Sequence, residues 1–157
     1  MKADPKIIAA LNTVLANELV TINQTFLHAR MCRNAGFKVL NDRFYHESIH
    51  AMKRADKLIE RVLFLEGLPN LQQLGRLRIG EEATEMLNCD HLLYVDNLAD
   101  LRSSIVTCES LQDYVSRDML TDLLEDEEEY LDWLETQQEL ITHVGKENYL
   151  QAQAFDQ

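Results

Sequence analysis

Apolar positions along this chain recur mostly at spacings of three and four, the period of a helix with one buried face. A first segment carries Ile8, Leu11, Leu15, Glu18 and Ile22 on one stripe, and a second carries Phe44, Ala51, Ala55, Leu58 and Val62. A third reads Leu87, His91, Tyr94, Leu98, Leu101, Ile105 and Cys108, and a fourth Leu120, Leu123, Glu127, Tyr130 and Leu134. Helix punctuation frames them. Asp4-Pro5 marks a start, because the carboxylate accepts orphan N–H groups and proline at the first helical position sacrifices no bond. The pattern predicts helices from Pro5 to about Asn34, Val39 to Glu66, near Glu82 to Ser110 and near Asp113 to His143, with a short fifth over Glu147 to Ala154. Gly36, Gly67 with Pro69, and Gly145 close three of them.

Helices of about 25 residues reach roughly 40 Å. Short links make the first and second helices, and the third and fourth, antiparallel neighbours. The longer connection through Gly75 and Gly80 crosses the bundle, so the second and third helices run the same way. The expected fold is all-α: one domain over residues 1–157, a four-helix bundle with one long crossover and a short fifth helix.

Composition adds little to that picture. Two prolines and five glycines are too few for a many-turned β fold. A net charge of −12 argues against nucleic-acid partners, which need a basic face, and suits attraction of cations. Cys32, Cys89 and Cys108 form no paired framework or CxxC motif, and the amino terminus lacks the apolar block of a signal peptide. A cytoplasmic protein with no membrane association is expected.

Two stripes are interrupted by carboxylates. Glu18 and Glu127 fall on core faces, where an ionised group needs a metal, a cation or a proton; the alternative is that helix phase turns both to water. The second helix is also apolar on another side, through Tyr45, Ile49, Met52, Ile59 and Leu63. The first offers Leu19, Ile22, Asn23 and Phe26 beside its core edge. Two apolar sides on one helix call for cover by another subunit. Met52, central on that face, is either interface packing or a thioether ligand to haem iron.

The segments NELVTINQTFLHARM at 17–31, YHESIHAMKRADKLIERVLFLEGLPNLQ at 45–72, DYVSRDML at 113–120, DWLETQQELI at 132–141 and ENYLQAQ at 147–153 resemble the bacterioferritins along essentially the whole chain. The resemblance implies a ferritin-like bundle in a hollow cage of twenty-four subunits that stores ferric mineral and releases iron. It implies haem b between two-fold-related subunits, its iron held by Met52 of each and its walls formed by Leu19, Ile22, Asn23, Phe26, Tyr45 and Ile49. Soft sulfur ligands suit ferrous iron, and a haem with both axial positions filled carries electrons. A reduced ferredoxin is the implied electron donor.

The family's di-iron site uses single glutamates on two helices and a Glu-x-x-His pair on each of the others. Glu18 and Glu127 match two of these six positions and are candidate metal ligands. Ala51 and Arg54 stand at one Glu-x-x-His, Tyr94 at the second single glutamate and Tyr130 at the last histidine; Thr25 replaces a nearby tyrosine. The expectation is a haem-binding subunit with no catalytic residues of its own, co-assembling with a ferroxidase-competent homologue. In this hypothesis Arg54 turns inward to pair with Glu18 and Glu127, and Tyr94 and Tyr130 donate further hydrogen bonds. The competing expectation is an active ferroxidase with a reorganised site in a homomeric cage. His46 and His50, one turn apart, are either an interior iron site or two solvated imidazoles, and Glu66, Asp132 and Glu139 match positions linked to an ion pore.

Overall fold

The computed structural model describes residues 1–73 and 75–154. Five helices follow in order: α1 (Pro5–Asn34), α2 (Lys38–Phe64), α3 (Ala83–Ser110), α4 (Tyr114–Val144) and α5 (Lys146–Gln153). Three starts are capped by carboxylates. Asp4 accepts from the Lys6 N–H at 2.8 Å, Glu82 from the Glu85 N–H at 3.0 Å and Asp113 from the Ser116 N–H at 3.0 Å.

Two helix ends close differently from the sequence expectation. Beyond α2 the left-handed residue is Glu66, at φ 60°, and not Gly67. Gly67 is required for space: a Cβ there would meet the Ile8 side chain at 2.7 Å. Beyond α3 the same turn is made by Gln112 at φ 62°, with no glycine to signal it.

Cross-helix contacts fix the topology. On α1 and α2, Ser48 donates to the Ile22 carbonyl and Arg54 to Glu18, so rising numbers on one meet falling numbers on the other. On α1 and α3, Asn97 donates to Thr21 and Ser104 to the Ala10 carbonyl, which makes this pair antiparallel as well. Helices α2 and α3 therefore run in the same direction, joined by the crossover.

Apolar side chains form two clusters. One is built around Leu11, Leu15, Leu58, Val62, Leu98, Leu101, Leu120 and Leu123. The other is built around Leu40, Phe44, Leu87, Tyr94, Tyr130, Leu134 and Tyr149, and α5 packs against this end. On α1, α2 and α4 the passage from one cluster to the other goes through buried charge: Glu18, Glu47, Arg54 and Glu127. No helix among the described residues is long and apolar enough to cross a membrane.

Candidate functional site

The polar layer is organised by Arg54, which α2 delivers to the bundle axis with only 3% of its surface exposed. Its neighbour on the same face, Ala51, is too small to occupy the space the guanidinium fills. Arg54 Nε donates to Glu18 Oε2 at 2.9 Å. One terminal nitrogen donates to Asp126 at 2.7 Å, and the other is shared by Glu47 Oε2 and the Tyr94 hydroxyl, both at 3.1 Å. Tyr94 in turn donates to Glu47 Oε2. The planar fork thus meets acceptors from four helices at once, which a lysine ammonium on a flexible stem would not reproduce.

Glu127 lies within this layer, 1% exposed, and takes no hydrogen bond from Arg54. The expected Arg54–Glu127 pair is corrected accordingly: the guanidinium spends its donors on Glu18, Glu47, Tyr94 and Asp126. Burial, reinforced by the Glu18 charge and only partly offset by Arg54, holds the Glu127 carboxyl well above the usual carboxylate range. Burial also raises Glu18, with Arg54 pulling it back. Neither Glu127 oxygen nor Glu18 Oε1 meets a hydrogen-bond partner among the described residues.

A second buried network lies one turn along. Asp90 accepts from Gln24 Nε2, His28 Nδ1 and the Tyr130 hydroxyl, each at 2.9 Å. The Gly80 N–H donates to His28 Nε2 at 3.0 Å, which leaves Nδ1 to carry the imidazole proton toward Asp90. The Arg78 N–H donates to Gln24 Oε1 at 2.9 Å, so the crossover is tied to the bundle through groups with no exposed surface. Tyr130 bridges the networks by packing on Tyr94 with ring centroids 4.7 Å apart and by stacking on Trp133.

Tyr94 thus joins the Arg54 cluster and Tyr130 serves Asp90 instead. His91, expected on the buried stripe of α3, sits at the rim against Glu135. Asp126, Gln24, His28 and Asp90 carry no site reading in the sequence, and Glu47 stands out there only as a metal-binding side chain beside His46 and His50, not as a partner of Arg54. Polar residues at helix spacing on the buried side of α1, Thr21, Gln24, Thr25 and His28, were the available signal.

Among the described residues no group of three or more His, Cys, Asp or Glu is arranged to hold a metal ion. A depression of about 310 Å³ leads to Arg54 between His50, Lys53, Lys57, Asp122 and Asp126. His46 and His50 face each other with ring centroids 4.4 Å apart near the surface, and His50 Nδ1 lies 3.8 Å from Glu47.

The opposite side of α2 presents Met52, 52% exposed, with Phe26 and Tyr45 also exposed and Leu19, Ile22 and Ile49 half-buried beside them. Asn23 is exposed on the same stretch of α1. The Phe26 and Tyr45 rings lie 6.3 Å apart, and the Arg30 guanidinium sits over both. This is a broad apolar patch with a soft sulfur donor at its centre and no covering element among the described residues.

A four-helix bundle with one crossover and a polar layer across its middle is the ferritin-like architecture, and the family model for the ferritin-like domain matches residues 8–144. A bacterioferritin of Brucella melitensis biotype 1 is 43% identical over 154 residues, covering 98% of this chain and 96% of the relative. Bacterioferritin BfrA of Mycobacterium tuberculosis is 42% identical over 149 residues, 95% and 94% of the two chains. A bacterial ferritin of Synechocystis is 41% identical over 154 residues, 98% and 99%. The chain belongs to the ferritin-like family, and within it to the bacterioferritins.

Proposed function

We propose that this chain is a haem-carrying bacterioferritin subunit for storage and release of iron that leaves iron oxidation to a homologous subunit in the same cage. Storage follows from the family. The finer reading rests on one observation: a buried guanidinium stands among Glu18, Glu47 and Tyr94 in the polar layer. A cation fixed there repels a second cation at short range and removes the charge imbalance that a metal would relieve. The donor set does not fit a pair of irons: Arg54 already occupies Glu18 and Glu47, and among the described residues no imidazole is bonded to Glu18 or Glu127.

The residues on the outer face of α2 do fit haem. Met52 would hold the haem iron through its thioether, one from each of two subunits, and Leu19, Ile22, Asn23, Phe26, Tyr45 and Ile49 would supply the surroundings of the porphyrin. When bound, such a haem supplies an electron-transfer centre without an open coordination position. A reduced ferredoxin is the proposed donor of electrons for iron release, and ferric mineral is the cargo. His46 and His50, with the Glu47 carboxylate near, are proposed as contacts for iron on the cage interior.

The purified homopolymer tests this directly. The wild type should show a haem absorption band that disappears in Met52→Leu while the assembled size is unchanged, and it should oxidise ferrous iron without a saturable fast phase. One observation favours the alternative, an active ferroxidase with a reorganised site: three carboxyl oxygens of Glu18 and Glu127 lack protein donors. Fast saturable oxidation abolished by Glu127→Gln would establish that reading and defeat the first. Native mass spectrometry of the cage from its own cell reports the partner subunit.

A further inference from the structure

At the end of the bundle beyond both networks, Cys32 of α1 and Met86 of α3 are 1% and 3% exposed. The Cys32 thiol donates to the Met86 sulfur at 3.6 Å. Both border a cavity of about 320 Å³ that is also lined by Met31, Phe37, Leu150, Glu81 and Glu82. Ordinary packing explains sulfur residues in a core, where they fill gaps. It does not by itself bring three sulfur side chains and two carboxylates to the wall of one depression.

We propose that this cavity binds a soft monovalent metal ion, cuprous copper, between the Cys32 thiolate and the Met86 thioether, with Met31 completing a three-sulfur set. Donor softness is the first argument, since thiolate and thioether together select cuprous ions over harder ones. Charge is the second. One thiolate and one monovalent cation sum to zero, so filling the site adds no net charge beside the buried sulfurs. Spacing is the third: with metal–sulfur bonds of about 2.3 Å, two sulfurs sharing an ion lie roughly 4 Å apart, close to the separation already present. Glu81, exposed, puts negative charge on the approach, while Glu82 is paired with Lys146 at 2.7 Å.

The exchange is simple: the thiol releases one proton to water, a sulfur–metal bond forms, and no electron moves. Burial, with a smaller effect from Asp90, pushes the free Cys32 thiol up to about 12, so the site holds a neutral thiol until the ion arrives. This inference does not rest on the haem or storage reading.

The test uses assembled protein carrying Met52→Leu in every sample, so that the exposed thioether does not compete. Anaerobic titration with Cu(I) against bathocuproine disulfonate should show one tight ion per chain, and X-ray absorption should show two or three sulfur neighbours. Cys32→Ser should weaken retention by about a hundredfold and Met86→Leu by about tenfold. Cys89→Ser and Cys108→Ser should leave it unchanged. Retention equal to the parent in both Cys32→Ser and Met86→Leu, or a metal shell of nitrogen and oxygen, would overturn the assignment. If Cys32→Ser does not assemble, Met86→Leu and the parent absorption spectrum decide it.

Discussion

The two buried polar networks sit one helical turn apart and solve the same problem by different means. Around Asp90, a single carboxylate receives three neutral donors, Gln24, His28 and Tyr130, and every polar atom has a partner. Around Arg54, one fixed cation faces three buried carboxyls and a half-exposed fourth, and carboxyl oxygens remain without a hydrogen-bond partner among the described residues. The first network is balanced by hydrogen-bond count. The second is balanced by charge, as a site is when a protein cation stands among acidic groups suited to a metal. A network balanced by count holds structure in place, here by fastening the crossover to α1. One balanced by charge collapses when its cation is removed, and it answers to pH.

Breaking the charge balance should have the largest effect. Arg54→Met keeps much of the side-chain volume but strands Glu18 and Glu47, and it is expected to cost about 3 to 5 kcal/mol at neutral pH. The loss should shrink in acid, because protonated carboxyls need no counter-ion. Urea unfolding at fixed subunit concentration at two pH values measures both effects. An unchanged midpoint would mean that the cluster carries no net ionic coupling. Asp90→Asn should cost less, about 2 kcal/mol, because the amide keeps the shape and some of the hydrogen bonds while losing the charge that strengthens them. Proteolysis of the crossover should rise with it, since His28 and Gln24 hold the Gly80 and Arg78 N–H groups.

How far this contrast could be read from the sequence depends on the side chains involved. Helix periodicity located all five helices to within a few residues, and the fourth stripe, Leu120, Leu123, Glu127, Tyr130 and Leu134, is buried throughout. Glu18 and Glu127 stood out because each interrupts an apolar run. Gln24 and His28 did not, because beyond Glu18 the buried face of α1 turns polar and the contrast that marks a core stripe disappears; Asp90 on α3 did not, because the expected stripe there runs through Leu87 and His91. Glu47 was masked by the histidines beside it. The inward turn of Arg54 and its pairing with Glu18 were legible, but its contacts with Glu47 and Asp126 were not. Which acceptor a long guanidinium reaches depends on how four helices are set about the axis, and spacing along one helix does not carry that information. The turns at Glu66 and Gln112 were equally silent, since nothing in either residue type signals a left-handed backbone.

The smallest predicted effect discriminates most sharply between the two kinds of balance. Glu127 begins from an ordinary value of 4.5 and is raised in the folded chain by burial first and by Glu18 second. Below that ordinary value both folded and unfolded chains hold the proton, and the group does not bias folding. As pH rises above 4.5 the unfolded chain releases its proton while the folded chain keeps one, so stability declines with pH by up to about 1.4 kcal/mol per unit until the folded carboxyl also ionises. Glu127→Gln replaces the titrating carboxyl with a neutral amide. Its unfolding free energy from urea titration should therefore sit near that of the wild type at pH 5 and exceed it by a margin that widens as pH rises. The opposite trend, with the glutamine variant losing ground as pH rises, would mean that Glu127 is ionised and paired with a cation in the folded chain, and the distinction between the two networks would fail.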